Sequence, residues 1–210
     1  MGIKIICVFL LLLLALPVVV QARPVSYSQG WMAMTTNDGM ENSAMLSYSP
    51  TAKGAFGIRT DYMRDDETFL NTLTYNRLLK RWNNPGSQAN FFLLTGVGIG
   101  DDHGDITPAG FAGIEGDWES RRYYVSYENR FIASSANNQY FDQKARIGIA
   151  PYIADYDGVH TWLMLQVQNN PTSEDKFVVT PLVRLFNTEV LTEVGYSSNN
   201  TLLFNATWQF

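Results

Sequence analysis

The chain has 210 residues, of which 46% are hydrophobic, 13% aromatic and 17% charged. That charged share falls well below the roughly 25% of an ordinary soluble domain, while 16 glycines, 11 tyrosines and 12 phenylalanines tilt the composition toward β structure. Fifteen basic against 20 acidic residues give a formal charge of −5, which excludes a general nucleic-acid binder, and the length favours one domain.

The first element in chain order is an address. Lys4, an apolar run over 5–16, a break at Pro17 and the small-residue spacing Val20-Gln21-Ala22 predict a secretory signal peptide, 1–22, cleaved after Ala22. Residues 23–210 are then the mature domain. The chain's one cysteine, Cys7, lies inside the signal, so the mature domain holds no disulfide, no CxxC pair and no thiol nucleophile. Cys7 begins the apolar run instead of following it, which excludes a lipoprotein anchor. No later window is apolar enough for a helical span; the most hydrophobic, 91–99, is short and interrupted by Gly96 and Gly98.

Beyond Arg23 the apolar residues recur with period two. The alternation predicts strands near 27–36, 41–50, 55–64, 68–82, 88–99 and 108–118, then 121–133, 139–153, 159–168, 176–186, 189–197 and 201–210. Asn37-Asp38-Gly39, Asn83-Asn84-Pro85-Gly86, Asn169-Asn170-Pro171 and Ser198-Asn199-Asn200 separate them with turn chemistry. Twelve units leave about 16 residues each, enough for a tilted membrane strand of about 9–11 residues and a short connection.

The last strand is the most informative. Leu202, Phe204, Ala206, Trp208 and Phe210 share one face, while Thr201, Asn205, Thr207 and Gln209 share the other with Leu203. With the signal peptide and the alternation throughout, this strand resembles the terminal strand of the Gram-negative outer-membrane β-barrel superfamily, a generic porin-like likeness without a subfamily. The resemblance implies an all-β, antiparallel, up-and-down transmembrane barrel of about 12 strands, with 10 or 14 as alternatives, in the cell outer membrane. It also implies that Phe210, with Trp208 and Phe204, forms the signal read by the barrel-assembly machinery. Lipid and lipopolysaccharide are the implied surroundings, and the oligomeric state is left open.

Given a membrane, the other faces follow. Phe91, Leu93, Thr95, Val97 and Ile99 face lipid, as do Phe56, Ile58, Thr60 and Tyr62, because a charge against lipid at the midplane costs about 2–4 kcal/mol. The inferred lumen carries Arg59, Asp61, Arg77, Arg81, Glu115, Arg122, Glu128, Arg130, Lys144, Arg146, Arg184 and Glu193. These line a narrow water-filled path or close it as a salt-bridged plug. Strand 68–82 is ambiguous, since Leu73 and Tyr75 share a side with Arg77 and Arg81. Tyr48, Tyr62, Trp82, Trp118, Tyr152 and Trp208 fall near strand ends, where interfacial girdles belong. With both termini periplasmic, the outer loops are short and carry Asp38, Glu41, Asp65, Asp66, Glu67, Asp101, Asp102, Asp105, Glu174 and Asp175, an acidic rim able to attract cations.

Three groups have chemical potential. Asp101, Asp102, His103 and Asp105 read first as a structural turn and, as the alternative, as a candidate divalent-metal site. Met32, Met34, Met40 and Met45 in the first hairpin offer soft thioethers for copper, or apolar filler with Met32 and Met34 on the lipid face. Neither His103 nor His160 has a serine neighbour placed for barrel hydrolase chemistry, so the chain reads as a non-enzyme with no cofactor. The functional expectation is a small passive porin-like channel or an envelope structural component. The alternatives are a non-conducting ion- or metal-binding barrel and, behind it, a hydrolase around His103.

Overall fold

The structure is a computed structural model that describes residues 23–65, 67–134, 139–155 and 158–210. The expected signal segment, 1–22, lies outside the described residues. The chain folds into twelve strands: β1 (Gly30–Asn37), β2 (Glu41–Thr51), β3 (Gly54–Met63), β4 (Thr68–Asn84), β5 (Ser87–Asp102) and β6 (Asp105–Ser120). They are followed by β7 (Tyr123–Ser134), β8 (Gln139–Ile149), β9 (His160–Asn169), β10 (Phe177–Asn187), β11 (Val190–Tyr196) and β12 (Leu202–Gln209). Each strand pairs antiparallel with its sequence neighbours, and β1 pairs with β12 from Met32↔Gln209 to Thr35↔Ala206, so the sheet closes into an up-and-down barrel. Closure leaves no unpaired edge.

Beyond the last residues of that seam, Trp31 N–H donates to the Phe210 carbonyl at 2.6 Å and Phe210 N–H returns the bond at 3.0 Å. This marks the near end of the barrel, where the two ends of the domain meet. The connecting residues 38–40, 64–65, 67, 103–104, 170–176 and 197–201 lie at the far end.

The expected alternation holds along β12: Leu202, Phe204, Trp208 and Phe210 are exposed, and Leu203, Asn205, Thr207 and Gln209 are buried. The same holds for β5, β7 and β10, where Val97, Tyr123, Val125 and Val183 point out. The result inverts a soluble protein. Polar side chains outnumber apolar ones among the buried described residues, and the outer wall is studded with exposed Val97, Phe177, Leu73, Leu202, Ile58 and Phe56. The interior still has apolar patches: Val25, Met63, Leu78, Phe92, Leu94, Phe111 and Ile132 pack on one side, and Tyr124, Trp162, Met164, Leu182 and Leu203 on the other. Gly96 makes the first patch possible, because a Cβ there would lie 2.3 Å from the Phe111 ring.

Four expectations are corrected. The wall begins at Gly30, not near 27; residues 23–29 instead run across the near end, with 23–26 buried. β8 ends at Ile149, and the chain leaves the wall before re-entering at His160. Met32 is fully buried and Met34 borders the internal cavity, so these methionines face inward, opposite to the expected lipid side. Finally, the β4–β5 register shifts between Leu78 and Lys80. A bulge of this kind inserts one extra residue and exchanges the faces beyond it, which turns Arg81 inward and leaves Arg77, before it, on the outer face with Leu73.

Candidate functional site

The interior is where the charged residues converge. At the far end Arg130 of β7, almost wholly buried, donates through Nη1 to Asp61 of β3 at 3.2 Å and through Nη2 to Glu41 of β2. Its guanidinium also lies 3.6 Å from Glu128 and 3.8 Å from Asp142. Arg59 bridges the same carboxylates, 2.6 Å from Asp61 and 3.3 Å from Glu41. Lys144 Nζ stands 3.4 Å from Asp38 and 3.9 Å from Glu41. Three cations and their carboxylates thus tie β2 and β3 to β7 and β8 across the lumen. Alternation makes this possible: apart from Asp38, in the connection between β1 and β2, each residue occupies an inward position of its strand, where a lone charge would be costly and a partnered one is held in place.

A second chain of bonds climbs the β8–β12 side. Arg184 Nε donates to Glu193 at 2.7 Å, Arg146 Nη1 to the same carboxylate at 3.3 Å, and Asn205 to its other oxygen at 2.8 Å. Arg146 Nε then donates to Gln166 at 2.7 Å, Gln166 to Gln168 at 2.9 Å, and Gln168 to Asp38 at 2.8 Å. The Arg184 guanidinium also covers the Tyr124 ring at 4.7 Å, a cation–π contact that favours a partly desolvated arginine. At the near end Arg23 Nη2 reaches Glu119 at 2.5 Å and Asp117 at 3.9 Å, Asn90 donates to Asp117 at 2.8 Å, and Arg81 Nε donates to Asn90 at 2.6 Å. Between these groups remains a cavity of about 110 Å³, bordered among others by Arg23, Pro24, Glu115, Ser126, Glu128 and Arg146. At about 10–15 Å³ per water, it has room for a few waters.

Of the residues expected in the lumen, Arg59, Asp61, Glu115, Glu128, Arg130, Lys144, Arg146, Arg184 and Glu193 point inward. Arg81 joins them at the near end because the β4 bulge turns it in. Arg77, before the bulge, shares the exposed outer face with Leu73, and Arg122 lies exposed in the turn between β6 and β7; neither lines the interior. Sequence reasoning missed Arg23, Asp117, Glu119 and Asp142, although the last three share inward parity with Glu115 and Lys144 and were legible from it. Asp38 and Glu41 are corrected more sharply. Expected on an acidic outer rim, they are buried at 0% and 3% exposure. Asp65 is held by the Ser173 hydroxyl, and Asp66 lies outside the described residues.

The candidate metal ligands do not assemble. His103 and Gly104 have φ of 52° and 99° between the paired Asp102 and Asp105, as a two-residue hairpin turn with both central residues left-handed requires. Asp101 accepts from Gly104 N–H at 2.8 Å, Asp102 lies 2.8 Å from His103 Nδ1, and Glu67 lies 3.5 Å from Nε2. The carboxylates beside it, Asp102 first, raise the His103 pKa above the ordinary imidazole value. Among the described residues no three His, Cys, Asp or Glu are placed to hold a metal. His160 has its ring against Phe186, centroids 6.2 Å apart. Trp208 and Phe204 lie on the outer face, and Phe210 stacks on Trp208 with centroids 4.3 Å apart beside the closing seam. No protein-family model matches the chain, and no curated protein matches it.

Proposed function

We propose that this chain is a non-enzymatic outer-membrane β-barrel whose lumen is shut in the resting state, an envelope component and not a constantly open pore. The observation that carries the reading is the inverted wall. Val97, Phe177, Leu73 and Leu202 are each more than 60% exposed, while Arg130, Asp61 and Glu193 are at most 2% exposed. A soluble monomer rarely bears contiguous apolar patches beyond a few hundred Å², and a lipid bilayer removes that penalty. Closure of the sheet satisfies the backbone groups that a membrane would otherwise punish. On this reading the near end is periplasmic, Trp31, Trp82, Trp118, Tyr123 and Trp208 form its aromatic girdle, and lipid and lipopolysaccharide surround the wall. Residues 1–22 act as its export signal, and Phe210 with Trp208 and Phe204 as its assembly signal.

The shut lumen follows from the interior bonds. Among the described residues, those that cross the barrel at the far end and those around Arg23 at the near end narrow the lumen around the central cavity, which supports the envelope reading over passive conduction. Refolded 23–210 in planar bilayers is expected to show no stepwise conductance, and its unboiled gel band is expected to run apart from the boiled one. Regular conductance steps would remove the closed-lumen reading, and identical bands would remove the membrane barrel.

A further inference from the structure

We infer that residues 23–29 form a strap that gates the central cavity from the near end. The strap is not part of the wall: β1 starts at Gly30, and the ladder closes through β12 without it. Side-chain pairs and a backbone bond fasten it to the inner wall. Arg23 pairs with Glu119 and Asp117, the Pro24 carbonyl accepts from Asn76 at 3.4 Å, and Ser26 N–H donates to Ser49 Oγ at 3.0 Å. Gln29 N–H donates to the Ser49 carbonyl at 2.7 Å, and Val25, 5% exposed, enters the apolar patch that includes Leu78 and Phe92. Arg23 and Pro24 are themselves part of the cavity lining, so whatever removes them unroofs the cavity.

The two seals are unequal in construction. The far one is made of side chains rooted in β2, β3, β7 and β8, which the intact wall keeps within reach of one another. The near one is made of a segment outside the ladder, which begins the mature chain once the expected export signal is removed, and its release leaves every strand pairing intact. Withdrawal of the strap leaves Asp117 and Glu119 with Arg81 at an open mouth, beyond which lie Glu115, Ser126 and Arg146. The strap therefore controls access from one side only, and its release fills the chamber with solvent without making a through-pore.

The inference rests on the closed-lumen reading, and one experiment separates the two. The mature chain has no cysteine, so Ser126→Cys provides a unique probe in the cavity for a small neutral thiol reagent. In refolded protein, labelling at position 126 is expected to be slow in the otherwise intact chain and at least ten-fold faster when Arg23→Ala and Val25→Asp are added. Gel migration before boiling confirms that each barrel is folded. Equally slow labelling overturns the strap; fast labelling without the strap substitutions overturns the closed lumen. A measurement without strap variants keeps the test decisive: hydrogen exchange at Ser26 and Gln29 is expected to outpace that at Trp31 and Phe210, and equal protection would overturn the gate.

Discussion

At the scale of single residues, two positions give direct tests. His103 sits at a fully exposed hairpin tip with Asp102 and Glu67 beside its ring, and both hold its pKa up. A histidine raised in the folded state stabilises it fully below the ordinary value of about 6.5. That contribution fades as pH rises through the raised folded value, so the 102–105 tip is expected to loosen on the alkaline side. In an NMR titration, Asp102→Asn should bring the His103 midpoint down toward the ordinary value; an unchanged midpoint would contradict the pairing. Gly96 tests packing instead of charge. Its missing side chain is the space Phe111 occupies, and an added Cβ would stand 2.3 Å from that ring. Gly96→Ala is expected to cost about 1–3 kcal/mol of unfolding free energy by overpacking. Adding Phe111→Leu should recover part of it, because neighbours that clash couple non-additively.

At the scale of elements, the Arg130 network ties strands that are far apart in the chain. Arg130 and Glu41 are 89 residues apart in sequence and meet only because the barrel brings β7 opposite β2. Arg130→Met keeps the bulk but leaves Glu41 and Asp61 short of a cation in a buried place, a change expected to cost about 3–5 kcal/mol. Urea unfolding of lipid-refolded protein reads this directly, and Glu41→Gln on the same background, which leaves Asp61 to Arg59 and Asp38 to Lys144, should restore part of the loss. The same network shows what the sequence could and could not disclose. Alternation told inside from outside for Arg59, Asp61, Glu128, Arg130 and Arg184, because period two is a local property. It was overruled at Arg77, which shares the outward parity of Leu73 and reads as interior only for its charge; it could not foresee Arg81, which turns inward only because the β4–β5 register shifts after Leu78, or Arg122, which the turn takes out of the wall. Asp38 and Glu41 read as solvated loop acids because nothing local reveals that Lys144, Arg59 and Arg130 wait across the lumen. The strap was invisible for a similar reason: residues 27–29 carry strand-like composition, and only the seam between Trp31 and Phe210 shows where the wall starts.

At the scale of the whole molecule, the inverted wall has one quantitative consequence that a soluble barrel does not share. Val97 and Ile106 lie on neighbouring strands, are 70% and 65% exposed, and both point outward. In water, arginine at either place would be nearly neutral, since surface substitutions away from special features stay within about 0.5 kcal/mol. In a bilayer the two differ by depth. Val97 faces Leu73 and Gly110 well inside the ladder, whereas Ile106 pairs with Asp101, next to the 103–104 turn. Arginine costs about 2–4 kcal/mol at the midplane and about 0–1 near the interface. Val97→Arg is therefore expected to lose several-fold more unfolding free energy in lipid vesicles than Ile106→Arg, while the difference vanishes in the aqueous unfolded reference. Equal, small losses at both sites would mean that the apolar belt meets water or another protein and not lipid, and the membrane assignment would fall with them.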